Sequence, residues 1–219
     1  MDGLEVSIYL GVAVVFILVI ALSIRASKKR QAALEAVAQQ SGWQFAPDEV
    51  APEALNAGQF PLFDIGRSKK AGNVMRASSS PVTFAVFDYR YTTGGGRNSN
   101  TTSQTVLFVQ SPRLTPPLFV LSPENIFHKI GGMFGYHDID FDGSPEFSSR
   151  YLLRAKENEN QVRELFSPSV RMWLEQREKL TIEGSADGVL VYRRGRKVKP
   201  EEIRTFVEEA LATARLFER

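Results

Sequence analysis

The hydrophobic pattern of this chain is continuous near its start, alternates in its middle and repeats every three or four residues near its end. The continuous part covers residues 6–24, VSIYLGVAVVFILVIALSI, which contain no charged side chain. A helix of this length, rising about 1.5 Å per residue, reaches about 28 Å, close to the thickness of the hydrocarbon core of a bilayer. A helix also satisfies its own backbone hydrogen bonds in lipid. The pattern predicts one membrane-spanning helix over residues 6–24.

A cleaved signal peptide is the alternative interpretation of this run. Signal peptides begin with positive charge and have a shorter apolar core with small residues before the cleavage site. Here the residues before the run include Asp2 and Glu5 and no Lys or Arg. Four basic residues follow the run directly: Arg25, Lys28, Lys29 and Arg30. We therefore expect an uncleaved, single-pass anchor.

The charges that flank the span predict its orientation. Basic flanks remain on the cytoplasmic side of a membrane. Residues 1–5 should therefore lie outside the cytoplasm and the rest of the chain inside it, as in a protein of the bacterial inner membrane. Residues 25–42 are rich in helix formers and end at Gly42, which predicts a basic juxtamembrane helix. This helix either continues the span or follows a small break.

The four basic residues after the span should lie at the membrane surface. On an anionic leaflet, each such charge contributes about 1 kcal/mol of attraction to the headgroups. These basic residues are explained as a signal that sets the membrane topology and contacts the headgroups. A lipid-binding switch under regulation is the alternative. The bilayer is thus the first partner that the sequence predicts.

Alternation of apolar and polar residues dominates the middle of the chain and predicts strands. In the clearest case, residues 82–92, one face holds Phe84, Val86, Asp88, Arg90 and Thr92, and the other holds Thr83, Ala85, Phe87, Tyr89 and Tyr91. Similar patterns predict strands over residues 43–45, 60–65, 73–78, 104–110, 118–121, 137–141 and 147–155. Residues 66–72 are predicted as a polar turn and residues 123–130 as one or two helical turns.

The last third of the chain predicts helices and one hairpin. Helices are expected over residues 157–167 and 168–179, and the hairpin pairs residues 180–183 with 189–192. A second turn at Arg194 and Gly195 should lead to a short return strand. A final helix begins near Pro200 and has one apolar stripe. The stripe consists of Ile203, Phe206, Val207, Ala210, Leu211, Ala214 and Phe217.

Together these elements predict one α+β domain over residues 43–219. Because most connections between strands are short, neighbouring strands should be antiparallel and form a meander. The C-terminal helices should pack on this sheet, and the N-terminal transmembrane helix should precede it.

Charge and composition then exclude several functional classes. The chain has 27 basic and 25 acidic residues, and residues 31–219 are neutral, with 23 of each. A nucleic-acid partner is therefore not expected, because phosphate backbones require an excess of positive charge. The absence of cysteine excludes a disulfide scaffold, a cysteine-ligated zinc site and a cysteine nucleophile.

The segment HDIDFDG, residues 137–143, resembles the start of a calcium-binding loop. Asp138, Asp140 and Asp142 occupy the first three ligand positions, but Ser149 stands where the pattern needs a bidentate Glu. An edge strand with these three carboxylates outward explains the segment. A weak divalent-cation site is the alternative, and no cofactor is expected.

His128 and His137 are the only histidines. His137 beside Asp138 suggests a base and its orienting acid, but adjacent residues of a strand point to opposite faces. A structural or surface role is the simpler interpretation. A second cluster of positive charge lies in the segment YRRGRKVKP. A solvated hairpin accounts for this cluster, and contact with an anionic partner is the alternative. The residues that would make this contact are Arg193, Arg194, Arg196 and Lys197.

Four segments resemble a group of bacterial membrane-anchored proteins of unknown function. They are GWQF at 42–45, FDYRYTTGGG at 87–96, QTVLFV at 104–109 and FSSRYLLRAKENENQVRELFSP at 147–168. The resemblance implies an inner-membrane protein with a cytosolic domain. It transfers no activity and no residue role.

Three functions follow as hypotheses. We favour a non-enzymatic cytosolic module that is tethered to the membrane and binds a protein partner or a lipid headgroup, because no complete catalytic set is present. The second hypothesis is a metal-assisted hydrolase that uses His137 with Asp138, Asp140 and Asp142. The third is a small-ligand sensor, which requires an apolar cavity within the curved sheet.

Overall fold

The computed structural model describes residues 3–55, 57, 59–124 and 135–218, with side chains described from Tyr9 onward. Most of the helical turns predicted over 123–130, including His128, lie outside these residues, as do Met1 and Asp2 of the N-terminal segment.

The N-terminal segment forms one unbroken helix, α1 (Gly3–Ser41), of 39 residues. The predicted span and juxtamembrane helix are therefore continuous. The helix ends where Gly42 adopts a φ of +69°, a left-handed conformation that glycine accepts without steric cost. The amide of Trp43 then donates to the carbonyl of Ala38 over 2.8 Å, which satisfies one carbonyl of the last turn. The helix end predicted at Gly42 is confirmed.

Within the residues that the structure describes, nine strands form a single sheet in which every pair is antiparallel. The strands are β1 (Gln44–Ala46), β2 (Arg67–Ser79), β3 (Val82–Thr93), β4 (Asn100–Gln110), β5 (Phe119–Pro123), β6 (His137–Ile139), β7 (Tyr151–Ala155), β8 (Thr181–Ser185) and β9 (Gly188–Tyr192). Their order across the sheet is β1-β2-β3-β4-β9-β8-β5-β7-β6. The predicted α+β class is confirmed, and the first four strands form a meander. The β8–β9 hairpin then lies between β4 and β5.

Two predictions for residues 60–72 are wrong. Residues 60–65 do not form a strand; the segment contains one helical turn, α2 (Pro61–Asp64), which begins at a proline that suits the first helical position. The predicted polar turn at 66–72 belongs to β2. Two shifts of register interrupt that strand, near the positive φ angles of Ser68 and Asn73, and hide its alternation in the sequence.

Two later predictions also need correction. The first half of the predicted strand 147–155 belongs to a helix, α3 (Pro145–Arg150), again started by a proline, and only the second half is β7. The return strand expected after Gly195 does not form in the described chain. Instead, single hydrogen bonds hold this segment to β4: the amide of Thr105 donates to the carbonyl of Arg196 over 3.1 Å.

The remaining helices are confirmed with shorter bounds. They are α4 (Glu159–Leu165), α5 (Pro168–Glu175) and α6 (Ile203–Arg215), and short 3-10 turns cover Pro52–Leu55, Gly96–Asn98 and Pro200–Glu202. The Ser167 hydroxyl accepts the amide of Val170, which caps α5. The predicted start near Pro200 and the hairpin at residues 180–192 are also confirmed.

Side chains on both faces of the sheet are buried. The first face packs against α6 and the second half of α1, and its centre includes Phe119, Phe166 and Phe217, whose rings lie 5.1 to 5.4 Å apart. The second face packs against α2, where Phe60 meets Phe108 at 5.7 Å. Of the predicted stripe on α6, every residue is buried except Leu211, which is half-buried. The stripe is therefore confirmed as a core face.

Candidate functional site at the junction of helix and sheet

The outer part of α1, from Tyr9 to Ile24, is not buried by the sheet domain. All of its large apolar side chains from Tyr9 to Ile24 are exposed. The helix is long and apolar enough to cross a membrane. The hydroxyl of Ser23 in this part donates to the carbonyl of Val19 over 2.8 Å, so its hydrogen bond is made within the helix. Such a surface suits lipid as its surroundings.

The inner part of α1 belongs to the core of the domain. Leu34 and Ala38 are 1% and 0% exposed and pack against the first face of the sheet. Just beyond the helix, Trp43 meets Phe84 of β3 edge to face, with ring centroids 5.3 Å apart. One continuous helix contains both the exposed apolar part and this packed part, so no loop separates the two.

Arg30 joins α1 to the sheet through an ion pair. Its Nε and Nη2 atoms donate to the two carboxylate oxygens of Asp88 on β3, each over 2.7 Å. Its Nη1 atom donates to the carbonyl of Val198 over 2.8 Å. A planar guanidinium matches a carboxylate in this two-bond geometry, which a lysine could not reproduce.

Asp88 has further partners, which keep it charged. Thr105 Oγ1 donates to its Oδ1 over 3.0 Å, Asn73 Nδ2 donates to its Oδ2 over 3.2 Å, and Lys197 Nζ lies 3.7 Å away. Burial alone would raise the pKa of Asp88, but the hydrogen bonds and charge of Arg30, with Lys197 and Asn73, outweigh it and hold that pKa below its ordinary value. The junction is thus a satisfied, half-buried ion cluster.

A cleft of about 260 Å³ opens beside this cluster. Ser27 and Gln31 of α1 form one wall, and Lys70, Arg90 and Lys197 contribute to the other. The two walls therefore come from the helix on one side and from the sheet on the other.

The structure separates the four predicted membrane-surface residues. Arg25, Lys28 and Lys29 are exposed, so headgroup contact stays a prediction for them. Arg30 instead points into the domain, with 17% of its side chain exposed.

The second basic cluster is largely paired within the domain. Arg193 contacts Glu178 at 3.1 Å and Glu209 at 2.7 Å, and Arg196 contacts Glu178 at 2.5 Å. Arg194 is half-buried. Contact of this cluster with an anionic partner stays a prediction, but the structure places Lys197 beside Arg30, so the two clusters meet at Asp88.

The three aspartates of the calcium-like segment lie on or just after β6, an edge strand. Ile139 and Phe141 are buried, whereas Asp138, Asp140 and Asp142 are exposed. Asp138 accepts a hydrogen bond from Arg154, and the carbonyl of Asp140 accepts one from Arg163. Within the described ranges, no three His, Asp or Glu side chains are grouped so that they could hold a metal ion. His137 is exposed on the same short strand.

Sequence reasoning missed a buried carboxyl, Glu183 of β8. It is 1% exposed and lies on the second face of the sheet. The hydroxyl of Tyr192 donates to its Oε1 over 2.6 Å, and the amide of Leu62 donates to its Oε2 over 3.0 Å. Burial raises its pKa to about 7, although these two hydrogen bonds oppose the shift. An acidic residue inside an otherwise uncharged hairpin strand was the available signal.

A groove of about 470 Å³ lies at the opposite end of the sheet from the junction. Its floor includes Ala85 and Phe108, and its polar walls include Gln44, Arg76 and Gln110. This groove opens to solvent and has polar residues in its lining, unlike the enclosed apolar cavity that the sensor hypothesis requires. The role of a ligand sensor stays a prediction.

Comparison with known proteins finds a shared fold. No family model matches this chain, and no curated protein matches it. Among solved structures, the crystal structure of the mycobacterial trehalose monomycolate transport factor A, TtfA, is similar. It aligns with a TM-score of 0.60 over 88% of this chain and 93% of that chain, at 13% sequence identity. At this identity the likeness concerns the fold alone.

The Arg30–Asp88 pair yields a direct prediction. Replacing Arg30 with lysine removes the two-bond geometry and should lower the free energy of unfolding by about 1.5–3 kcal/mol, because a hydrogen bond to a charged group contributes about that much. Denaturant unfolding of the full chain in detergent, followed by tryptophan fluorescence, measures the change, since Trp43 and Trp173 both lie in the domain. The exposed neighbour offers a control, as Lys29→Arg should change the value by less than about 0.5 kcal/mol. Equal stability of both variants would contradict a structural role for the pair.

Proposed function

We propose that this chain is a non-enzymatic accessory module of a membrane transport process, anchored in the bacterial inner membrane by α1. Its N-terminus lies outside and its sheet domain lies in the cytoplasm. The domain holds a protein partner or a lipid headgroup at a fixed position beside the bilayer.

One observation carries this proposal: α1 is a single continuous helix whose outer part is apolar and exposed, while its inner part packs against the sheet. Leu34 and Ala38 are buried in the domain, and Arg30 is bonded to Asp88. A flexible linker would allow the domain to rotate freely, whereas this connection sets its orientation. A fixed orientation is useful to a protein that must present one surface to a partner in the same membrane.

The structural neighbour supports the choice of transport. By its name, that protein is a trehalose monomycolate transport factor. The two chains align over most of both lengths, so the shared fold includes most of the domain described above. We extend the role of a transport factor to this chain as a proposal and leave the transported molecule open.

The anchor is tested by extraction. Full-length chain should stay in the membrane pellet after an alkaline carbonate wash, whereas a chain that begins at residue 26 should move to the supernatant. A reporter that is active only in the cytoplasm should be active when it is fused after Arg219. Strong activity of a periplasmic reporter at that position would contradict the orientation.

The partner is tested by cross-linking in intact cells. Met172 is a large apolar side chain of the domain with 54% of its surface exposed, so a photoreactive amino acid fits at this position. We expect one discrete adduct with a membrane protein, lost when residues 1–25 are removed. The same photoreactive amino acid placed at Thr205, an exposed residue of α6, is the position with which Met172 is compared. An adduct that forms equally without the anchor would show that tethering is not required.

A further inference from the structure

The direction of β3 relative to α1 can be read from two contacts. Arg30 bonds Asp88, and Trp43, past the inner end of the helix, packs on Phe84. The chain direction of β3 is therefore opposite to that of α1. From Asp88 to its last residue, β3 runs toward the end of α1 that contains the membrane span. The cleft beside the junction agrees, because Ser27 of the helix and Arg90 of the strand line it together.

Simple lengths show how far the sheet extends in that direction. From Arg30 back to Ile24 the helix rises about 9 Å, at about 1.5 Å per residue. From Asp88 to Thr93, the last residue of β3, the strand advances about 17 Å, at about 3.4 Å per residue. Even if the strand were inclined by about 50° to the helix, it would rise about 11 Å along the helix axis. The β3–β4 turn therefore reaches the level at which the apolar span ends.

The charged side chains at this end of the sheet are mostly basic. Lys70 pairs in register with Arg90 near the start of β2, and Arg67 holds the turn by donating to the carbonyl of Gly94 and, over 3.1 Å, to Ser99 Oγ. We define the basic rim as four exposed residues at this end: Arg67, Lys70, Arg97 and Lys197.

The acidic side chains nearby offset only part of this charge. Glu49 is paired with Arg90 at 2.6 Å, and Arg30 and Lys197 share the single carboxylate of Asp88. Asp64 is exposed at the end of α2, close to the start of β2. The rim therefore keeps a positive excess, although residues 31–219 as a whole are neutral. Its position and its charge both match an anionic lipid surface.

We propose that the basic rim and the turn at residues 94–99 rest on anionic lipid headgroups of the leaflet from which α1 emerges. This second contact adds to the anchor and rests on the proposed function, because it requires α1 to span the bilayer. Each rim charge adds to the attraction of an anionic leaflet, and salt weakens it. The membrane itself then fixes the tilt of the domain, and the opposite end of the sheet, with its groove, faces away from the bilayer.

The test uses the absence of native cysteine, so that one introduced cysteine accepts one fluorescent label. Three full-length variants are compared: Asn98→Cys in the turn, Lys28→Cys on α1 just beyond the span, and Asp187→Cys in the β8–β9 turn at the far end of the sheet. Each is reconstituted into nanodiscs that contain about 30% phosphatidylglycerol and lipids spin-labelled at the headgroup, which quench nearby fluorophores. We expect quenching at positions 28 and 98 and none at position 187.

Charge dependence is tested on the Asn98→Cys variant. Combining it with Lys70→Gln and Arg97→Gln should lower the quenching at least two-fold, and phosphatidylcholine alone or 0.5 M salt should act in the same direction. A matched control removes two exposed charges at the far end, Arg76→Gln and Arg113→Gln, and should leave the quenching unchanged.

The outcomes separate the two proposals. Quenching at position 28 without quenching at position 98 would overturn the rim contact and leave the anchor intact. Loss of quenching at position 28 would instead refute the anchor. Quenching at position 98 that neither the rim substitutions nor neutral lipid reduces would rule out recognition of anionic headgroups.

Discussion

Truncation of Phe206 to alanine should lower the free energy of unfolding by about 3–5 kcal/mol, since a buried aromatic ring loses its transfer energy and leaves a cavity. Phe206 is 3% exposed, and its helix α6 packs on β4 and β9, at the centre of the sheet. Arg193 also lies over its ring, 5.7 Å from the centroid. Domains have about 5–15 kcal/mol of stability in total, so this loss is a large share. Denaturant unfolding of the full chain in detergent measures it.

The control for this prediction lies one residue away. Thr205 is exposed on the opposite side of α6, so Thr205→Ala should change the free energy of unfolding by less than about 0.5 kcal/mol. A fully stable Phe206→Ala variant would mean that the stripe is not a core face. The stripe would then be a surface for a partner.

Replacement of Glu183 by glutamine should stabilise the domain in alkaline solution and have little effect in acid. Burial raises the pKa of this carboxyl from 4.5 to about 7, so the folded state disfavours the charged form. The contribution of Glu183 to the stability of the natural chain should therefore fall as the pH rises from about 4.5 to about 7 and stay reduced above that. At about 1.36 kcal/mol per pKa unit, the full effect is about 3 kcal/mol.

Glutamine suits the site because it keeps both hydrogen bonds without a charge. Its carbonyl can accept the amide of Leu62, and its amide group can donate to the hydroxyl of Tyr192. We expect the two proteins to have nearly equal unfolding free energies at about pH 4 and to differ by up to about 3 kcal/mol at pH 8.5. A difference that is the same at both pH values would disprove the titration of Glu183, and Asp187→Asn in the exposed turn serves as the control.

Local patterns in the sequence predicted the elements whose formation depends on a strong, regular repeat. The span in α1 follows from a charge-free run, β3 from a period-two pattern rich in β-branched and aromatic residues over residues 82–92, and α6 from apolar residues spaced three and four apart. In each case the pattern repeats over several turns or residue pairs, so one irregular position does not disturb it. The α+β class follows from the order of these elements.

Where the pattern was short or interrupted, the prediction failed. The apolar residues 60–65 contain a helical turn, because Pro61 suits the first helical position and the apolar side chains of the turn pack against the second face of the sheet. The register shifts in β2 break its alternation, so the sequence there suggests a turn. Short segments follow their tertiary surroundings more than their own preferences.

The candidate site could be predicted only in part. The sequence determined that basic residues follow the span, and it placed Asp88 on a strand. Only the tertiary structure joined Arg30 to Asp88, which lie 58 residues apart, and brought Lys197 beside them. The same holds for Glu183, whose raised pKa comes from burial under α2. A local pattern contains the periodicity of one element, whereas ion pairs and burial depend on which distant elements the fold brings into contact.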